Sequence, residues 1–261
     1  MRTIVCIKQV PETTRVEIDP ETKTLRREGV ESVLNPLDTF AVEEALRIRE
    51  RLGGTVTALT LGPPQAARML REVIALGVDD GVLVSGREFA GSDTWSTSYA
   101  LAAAIRHMGR CDLILCGKQA VDGDTGHIGP ELSAHLALPL ATYVRSIREV
   151  TSDHAVVERL TDTGHEVMRL PLPAVMTVIK DLNEPRTPNL ADLHRARFAT
   201  LKVLDAKAIG ADPLEIGLEG SLTRVIRIFT PKTERAARIY EENLDAGVRD
   251  VAAFLEKEGL L

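Results

Sequence analysis

The chain has 261 residues, which is enough for one large α/β domain with its own core, or for one domain with extensions. Its net charge of −6 and its aromatic content of only 3% argue against a nucleic-acid partner. No apolar run approaches the roughly 20 residues that span a bilayer, so we expect no transmembrane segment. The cysteines number three, an odd number that fits a reducing compartment, and we expect a cytoplasmic location.

Short β-branched segments alternate with helical patterns in the first part of the chain. We predict strands over Thr3–Gln9, Val56–Leu61, Gly81–Ser85 and Asp112–Cys116. We predict helices over Thr39–Leu52 with Asp38 as N-cap, over Gln65–Leu76, from Ser92 or Asp93 to about His107, and over His127–Ala137. This alternation is typical of βαβ units, and it predicts an α/β fold with a parallel, twisted sheet and helices on both faces.

The pattern changes after about residue 140, where strand-like segments follow one another with no room for crossover helices. These segments are Thr142–Val150, Ala155–Leu160, Val167–Leu170 and Ala174–Val178. We expect them to form hairpins, as an antiparallel extension of the sheet.

The tail is rich in proline at first, and we expect it to lie outside the regular core. It is then predicted to form a strand over Arg224–Thr230 and a helix that begins at Thr230–Pro231 and runs toward Leu261, with an interruption near Gly247. We therefore divide the chain into an α/β domain, residues 1–180, and a segment of residues 181–261 that ends in a C-terminal arm. From the pattern alone, the arm could pack on another chain or fold back on its own domain.

The loop that follows the fourth predicted strand has the composition of an anion-binding loop. It contains three glycines, one lysine and two aspartates, and it leads directly into a helix N-terminus, where N–H groups and the helix dipole suit a pyrophosphate. The alternative is a capped loop without a ligand. The residues concerned are Gly117, Lys118, Gln119, Val121, Asp122, Gly123, Asp124, Thr125, Gly126, His127 and Ile128.

Three other loops follow or precede predicted elements at the same edge of the sheet. Asn35 and Asp38 precede the first helix, where a turn and a helix cap are the alternative interpretation. Leu61 and Gly62 end the second strand, and a glycine there lets a ligand approach the backbone. A further helix start carries Asp93, Thr94 and Thr97, whose side chains could cap the helix or bind phosphate.

Several familiar catalytic and binding motifs are absent from the sequence. There is no G-x-G-x-x-G after the first strand, no G-x-S-x-G and no H-E-x-x-H, and the six histidines have no metal-ligand spacing. A stand-alone ATP pyrophosphatase should carry S-G-G-x-D-S after the first strand, where this chain has Gln9–Glu12. A nucleotide fold without acid–base machinery favours binding or electron transfer over catalysis by the chain alone.

Taken together, these segments resemble the β subunit of electron-transfer flavoproteins, and in particular its FAD-binding branch, which is bifurcating or associated with nitrogen fixation. The resemblance covers most of the chain in the family's order. The matching stretches are Val5–Pro11, Ile18–Thr22, Leu25–Val30, Asn35–Pro36, Ala41–Leu46, Leu61–Pro64, Phe89–Thr94, Thr97–Ser98, Gly117–Gly126, Leu172–Val175 and Asn183–Arg186.

The resemblance implies a Rossmann-like, adenine-nucleotide-binding fold and a heterodimer with a larger, FAD-containing α subunit. It places nucleotide contacts at Cys6, at Asn35 to Asp38, at Leu61 and at Gly117 to Ile128. The Phe89–Ser98 segment resembles the branch that holds FAD in this subunit, and AMP with a structural role is the alternative cofactor. With FAD the implied function is electron carriage, by bifurcation with NADH as possible donor. With AMP the subunit would only scaffold the α subunit.

The resemblance also concerns partners. It implies that Leu190, which follows Asn183–Arg186, anchors a recognition loop on an acyl-CoA dehydrogenase, with a quinone oxidoreductase or ferredoxin as possible acceptor. It further implies that the C-terminal arm packs on the α subunit. Two positions depart from relatives: His127 stands where this branch often has glutamine, and Leu160 stands where the respiratory branch has a glutamate.

Overall fold

One large sheet forms the centre of the protein. The computed structural model describes residues 1–12, 32–226, 239–240 and 243–261, and nine of its strands join this sheet while two others form a separate pair. The strands are β1 (Arg2–Cys6), β2 (Gln9–Pro11), β3 (Ser32–Leu34), β4 (Thr55–Leu61), β5 (Asp80–Val84), β6 (Leu113–Gly117), β7 (Leu140–Val150), β8 (His154–Thr161), β9 (Gly164–Pro171), β10 (Ala174–Val178) and β11 (Lys202–Leu204).

The strand order is β11-β5-β4-β1-β6-β10-β7-β8-β9, and every pair from β11 to β7 is parallel. From β1 the chain builds outward through β4 and β5, and then returns to the other side of β1 with β6. The last three strands, β7, β8 and β9, are antiparallel. The expected parallel sheet and its antiparallel extension are therefore confirmed.

Helices cover both faces of the sheet, as predicted. They are α1 (Asp38–Leu52), α2 (Ala67–Ala75), α3 (Thr94–Met108), α4 (Ile128–Leu136), α5 (Leu190–Phe198) and α6 (Leu244–Lys257). Val5 packs with α1 and α2 on one face, whereas Ile4 and Cys6 pack with α3 and α4 on the other. Because both faces are covered, the central strands β1, β4, β6 and β10 are buried along nearly their whole length instead of alternating between buried and exposed residues.

The expectation that Ala174–Val178 belongs to a hairpin is wrong. This segment is β10, which lies inside the parallel sheet between β6 and β7 and is buried along its whole length. Bulges between Val144 and Ser146 and between Ile147 and Glu149 bend the β7–β8 pair. The bent hairpin returns the chain to the start of β10, so that a parallel strand forms here without a crossover helix.

The segment after residue 180 adds regular structure that the sequence reading left out. β11 extends the sheet beside β5, and α5 packs on α2, where the Arg195 guanidinium donates to the carbonyl oxygens of Ile74 and Val78 at 3.0 Å each. Arg186 Nε donates to Glu43 Oε2 at 2.8 Å and so ties the same segment to α1. The compact unit accordingly runs over Met1–Val225, past the boundary expected at residue 180.

The second compact unit, Ile226–Leu261, contains α6. α6 begins only at Leu244, and residues 239, 240 and 243 are not helical, so the helix predicted to run toward Leu261 is interrupted just before Gly247 rather than at it. Residues 224–226 are not in a strand, and the remainder of the predicted strand and the helix start at Thr230–Pro231 lie outside the described residues, as do Ile18–Thr22 and Leu25–Val30. None of the described helices is long and apolar enough to cross a membrane.

The contact between α4 and β10 gives a test of the fold. A Cβ atom at Gly129 would overlap Thr177 Cγ2, so Gly129→Ala should push α4 away from the sheet. We expect a loss of about 1–3 kcal/mol in the free energy of unfolding, measured by urea denaturation.

The matched variant adds Thr177→Ser, which removes the obstructing methyl group and keeps the hydroxyl that accepts from Tyr143 N–H at 3.1 Å. The double variant should recover most of the stability lost in Gly129→Ala. An equal loss in both variants would contradict the close packing described for α4.

Candidate nucleotide site

The candidate site lies at the carboxyl ends of β1 and β6, the point at which the strand order reverses. Cys6 and Cys116 are register partners in these two strands, and the chain leaves them toward opposite faces of the sheet. Ligands of open α/β sheets bind in the crevice at this point. The loops predicted from sequence to carry the chemistry are therefore neighbours in space.

Asp38 lies at the base of the site, but it does not cap α1 as predicted. Leu37 occupies the N-cap position, without a side-chain hydrogen bond, and Asp38 is the first helical residue. Its carboxyl group turns toward β1 and accepts from Lys8 N–H at 2.8 Å, and it also accepts from Asn35 and from Gly117 N–H.

Burial sets the protonation of this carboxyl group. Asp38 is only 5% exposed, and its removal from water raises its pKa to about 7, although the hydrogen bonds from Asn35, Lys8 and Gly117 and the charge of Lys8 act in the opposite direction. The group can therefore change its charge near neutral pH.

Gly117 is required by the close approach of β6 to the start of α1. A Cβ atom at this position would overlap Asp38 Oδ1 and would lie 2.7 Å from the carbonyl carbon of Leu37. Only glycine lets the backbone pass here. The same close approach gives the following loop its direction across the ends of the strands.

Asn35 holds that loop in place. Its side chain is buried, its Nδ2 donates to Gln119 O at 2.9 Å, and its Oδ1 accepts from Val121 N–H at 3.2 Å. Gln119 Nε2 in turn donates to Asp124 Oδ1. The side-chain amide of Asn35, which the sequence predicted to contact a cofactor, thus binds the loop through both its N–H donor and its oxygen acceptor.

Lys8 is a site residue that the sequence reading missed. It follows β1 by two positions, and its Nζ lies 2.6 Å from Asp122 Oδ1. Both side chains are partly exposed to solvent, so the ion pair contributes little stability. An incoming anion could replace Asp122 as the partner of Lys8. The predicted strand, Thr3–Gln9, included Lys8, so its position beyond the end of β1 was not evident from the sequence.

The outer part of the loop is open and offers hydrogen-bond donors. Residues 121–125 and His127 are exposed, and Asp124 and Gly126 have positive φ values of 53° and 67°. The N–H groups of Thr125, Gly126 and His127 donate to no acceptor within the part of the chain that the structure describes. They precede α4, so their position suits a phosphate group.

The start of α3 approaches the start of α4 through a hydrogen bond from Thr94 Oγ1 to Glu131 Oε1, at 2.9 Å. Glu131 is a second residue that the sequence reading missed, and its spacing of four from His127 was the available signal. Oε2 of Glu131 is buried and has no hydrogen-bond partner among the described residues. The side chain of Thr97 forms no hydrogen bond with any other described residue.

Asp93 serves mainly to hold structure. It caps α3 by accepting from Ser96 N–H at 3.0 Å, and its other oxygen accepts from Thr223 N–H at 2.9 Å and from the Thr223 hydroxyl at 3.0 Å. Burial opposes its ionisation, but these hydrogen bonds hold the pKa of Asp93 below its usual value. The capping alternative raised for this residue is confirmed.

The remaining predicted residues lie at the rim of the site or away from it. Leu61 and Gly62 end β4, and Gly62 N–H donates to Val84 O at 3.0 Å, on the side of β5. Cys6 is a buried free thiol beneath the loop. A hydrogen bond with Cys6 and burial raise the pKa of Cys116 well above its usual value, so this thiol stays protonated.

Leu190 belongs to a different surface. It is the first residue of α5 and is 86% exposed. Arg195 of the same helix binds the carbonyl groups just before β5, at the amino edge of the sheet. The structure therefore separates Leu190 from the carboxyl-edge site. Within the described ranges, no cluster of residues could hold a metal ion.

Comparison with known proteins gives a consistent result. A family model described as "Electron transfer flavoprotein domain" matches residues 22–209. The chain is 43% identical to the electron transfer flavoprotein subunit beta of Thermoanaerobacterium thermosaccharolyticum, over 100% of both chains. It is 43% identical to Protein FixA of Azotobacter vinelandii, over 97% of this chain and 92% of that one. It is 44% identical to the caffeyl-CoA reductase–Etf complex subunit CarD of Acetobacterium woodii, over 88% of each chain.

The raised pKa of Asp38 predicts a pH dependence of stability. The native state holds the Asp38 proton up to about pH 7, whereas the unfolded chain loses it near pH 4. The stabilisation is therefore complete below about pH 4 and is lost as the pH rises through about 7. Asp38→Asn cannot titrate and should lack this slope.

The measurement is chemical denaturation of both proteins at intervals from pH 4 to pH 8. The difference in unfolding free energy should change in favour of the variant by up to about 1.4 kcal/mol per pH unit inside this window. Parallel curves for the two proteins would show that Asp38 does not titrate there.

Proposed function

The chain belongs to the electron transfer flavoprotein family as a relative of its β subunits, and we propose that the site at the ends of β1 and β6 binds FAD. The family role is electron transfer together with an α subunit. The observation that carries the proposal is the glycine-rich loop after β6, with its N–H groups open beside the start of α4.

The residues around the loop fit an adenine dinucleotide. Gly117 brings the backbone close to α1, Asn35 fixes the loop from below, and the N–H groups of Thr125, Gly126 and His127 would bind the pyrophosphate. Lys8 can exchange Asp122 for a phosphate oxygen. Leu61 and Gly62 border the same edge of the sheet, where an adenosine would lie.

FAD needs more contacts than AMP, and the start of α3 supports the larger ligand. Thr94 and Thr97 lie on the first turn of α3, and Thr94 contacts the first turn of α4 through Glu131. Hydroxyl groups at this position lie beyond the loop, where the flavin half of the cofactor would extend. A structural AMP would leave this part of the site without a ligand contact.

When bound, FAD would accept a hydride from NADH and release its electrons one at a time. The chain itself would hold the cofactor, exclude water from the base of the site and provide the charges around it. The open cleft next to the loop supports the approach of a second redox group. Lys118 Nζ lies 5.4 Å from the centre of the Tyr143 ring there, and Leu37 and Leu160 line the same cleft.

We propose bifurcation as the mode of electron transfer, and the names of two relatives connect those proteins with CoA-linked reductases. The Acetobacterium woodii relative is named as a subunit of a caffeyl-CoA reductase–Etf complex. A relative from Anaerotignum propionicum, 42% identical over 88% of this chain, is named acryloyl-CoA reductase electron transfer subunit gamma. We propose that this chain likewise passes electrons between NADH or a dehydrogenase and an acceptor such as a quinone oxidoreductase or ferredoxin. We place it in the cytoplasm because its three cysteines are free thiols.

We propose that the C-terminal arm binds the α subunit through α6. Leu244, Val248, Val251 and Phe254 follow one another at spacings of three or four residues, and each is more than half exposed. Such a stripe is the face that an amphipathic helix buries against a partner.

The cofactor proposal is tested by counting nucleotides. Full-length chain coexpressed with its α subunit should release two FAD per heterodimer and no AMP, as measured by chromatography after denaturation. NADH should then bleach the flavin absorbance. One FAD and one AMP per heterodimer would establish the structural alternative, and two FAD that NADH cannot reduce would exclude NADH as the donor.

The role of Leu190 is tested by truncation. Leu190→Ala should slow electron transfer with an acyl-CoA dehydrogenase by about tenfold or more, because an exposed apolar anchor is lost. The matched control is Leu214→Ala, which removes a leucine that is 75% exposed elsewhere in the same unit and should leave the rate unchanged. Both variants should keep the melting temperature. Equal rates for Leu190→Ala and the unmodified protein would place docking elsewhere.

A further inference from the structure

We propose that Glu131 recognises the ribityl hydroxyl groups of the flavin nucleotide and thereby selects FAD over nucleotides that lack a polyol chain. The inference rests on the proposed function, because it assigns a recognition role within the same site. It concerns the point where the starts of α3 and α4 meet, beyond the phosphate-binding part of the loop.

The geometry around Glu131 leaves one of its oxygens without a hydrogen-bond donor among the described residues. The side chain is 18% exposed, and Oε1 accepts from the Thr94 hydroxyl at 2.9 Å. Oε2 is buried and has no donor among the described residues. His127 Nδ1 lies 4.0 Å from Oε1, too far for a hydrogen bond. A buried carboxylate oxygen without a donor costs free energy, which a ligand that brings a donor would recover.

The direction of the Thr94 hydrogen bond decides which ligand group fits. A hydroxyl group carries a single proton, and Thr94 donates that proton to Glu131. Thr94 therefore has no proton left for a phosphate oxygen, and the adjacent carboxylate would repel a phosphate group. Both side chains present acceptors at this point. The complementary ligand group is neutral and donates hydrogen bonds.

A ribityl chain meets this requirement. It carries successive hydroxyl groups, each of which can donate to a carboxylate or to a threonine oxygen, and hydrogen bonds to an ionised acceptor are stronger than neutral ones. AMP and ADP share the adenosine and phosphate groups of FAD but have no such chain. Glu131 should therefore contribute to FAD binding and should be indifferent to the smaller nucleotides.

The experiment compares three nucleotides on the full-length chain. FAD, ADP and AMP are titrated by calorimetry into the unmodified protein and into Glu131→Gln, which keeps the shape of the side chain and removes its charge. We expect FAD to bind about tenfold more weakly to the variant, since a charge-assisted hydrogen bond is lost. ADP and AMP should change by less than about twofold, and an unchanged melting temperature shows that the variant is folded.

Thr94→Val provides the companion variant, because it keeps the side-chain volume and removes the hydroxyl that orients Glu131. FAD binding should weaken again, and the double variant should lose less than the sum of the two single losses, as expected for residues that act together. Strictly additive losses would mean that the two residues act separately, contrary to the proposal.

Three results with Glu131→Gln would overturn the inference. An equal loss of FAD and AMP affinity in Glu131→Gln would indicate a role in holding the loop rather than in recognition. Tighter binding of FAD and ADP would indicate that a phosphate lies beside the carboxylate. Unchanged FAD affinity would exclude a recognition role for Glu131 without contradicting the binding of FAD. An unmodified protein that binds AMP but not FAD would instead refute the proposed function itself.

Discussion

The carboxyl group of Asp38 joins three segments that are far apart in the sequence: the end of β1 at Lys8, the turn at Asn35 and the end of β6 at Gly117. All of these contacts converge on one buried group, so the direction of each segment depends on it. The absence of a Cβ at Gly117 is the other half of this constraint, because the carboxyl oxygen occupies the space that a side chain would need. The loop that would carry the cofactor starts from this joint.

The proposed site would bind a phosphate through backbone donors more than through charged side chains. The ammonium group of Lys8 is already paired with Asp122, that of Lys118 lies 5.4 Å from the centre of the Tyr143 ring, and the chain as a whole carries a net charge of −6. Positive potential for a phosphate would therefore come from N–H groups before α4. Such donors are fixed by the fold and need no reorientation when a ligand arrives, whereas a free lysine would have to lose conformational entropy.

The sequence predicted most of the fold because strands buried on both faces of a parallel sheet are short apolar runs that alternate with amphipathic helices. The same property explains the error at β10. An apolar run indicates that a strand is buried, but it does not indicate whether the strand runs parallel or antiparallel to its neighbours. The bulges that bend β7 and β8 have no sequence signal of comparable strength. The loop at Gly117–Gly126 was predictable because glycine and helix-start residues cluster there. The roles of Asp38, Lys8 and Glu131 were not, because each depends on a partner at least 30 positions away in the sequence.

One helix connects the two surfaces to which function is assigned. The amino end of α1 carries Asp38 beneath the loop, and Glu43 and Glu50 further along α1 hold Arg186, which precedes Leu190 by four residues. Burial opposes the ionisation of Glu43, but its hydrogen bonds with Arg186 and Arg47 hold its pKa below the usual value, so this clamp stays charged at neutral pH. A helix of 15 residues is about 22 Å long and does not stretch. The loop proposed to bind the cofactor and the segment proposed to dock a partner are thus held at a set separation within this subunit, so under that proposal a change in the distance an electron travels would come from movement of the bound partners.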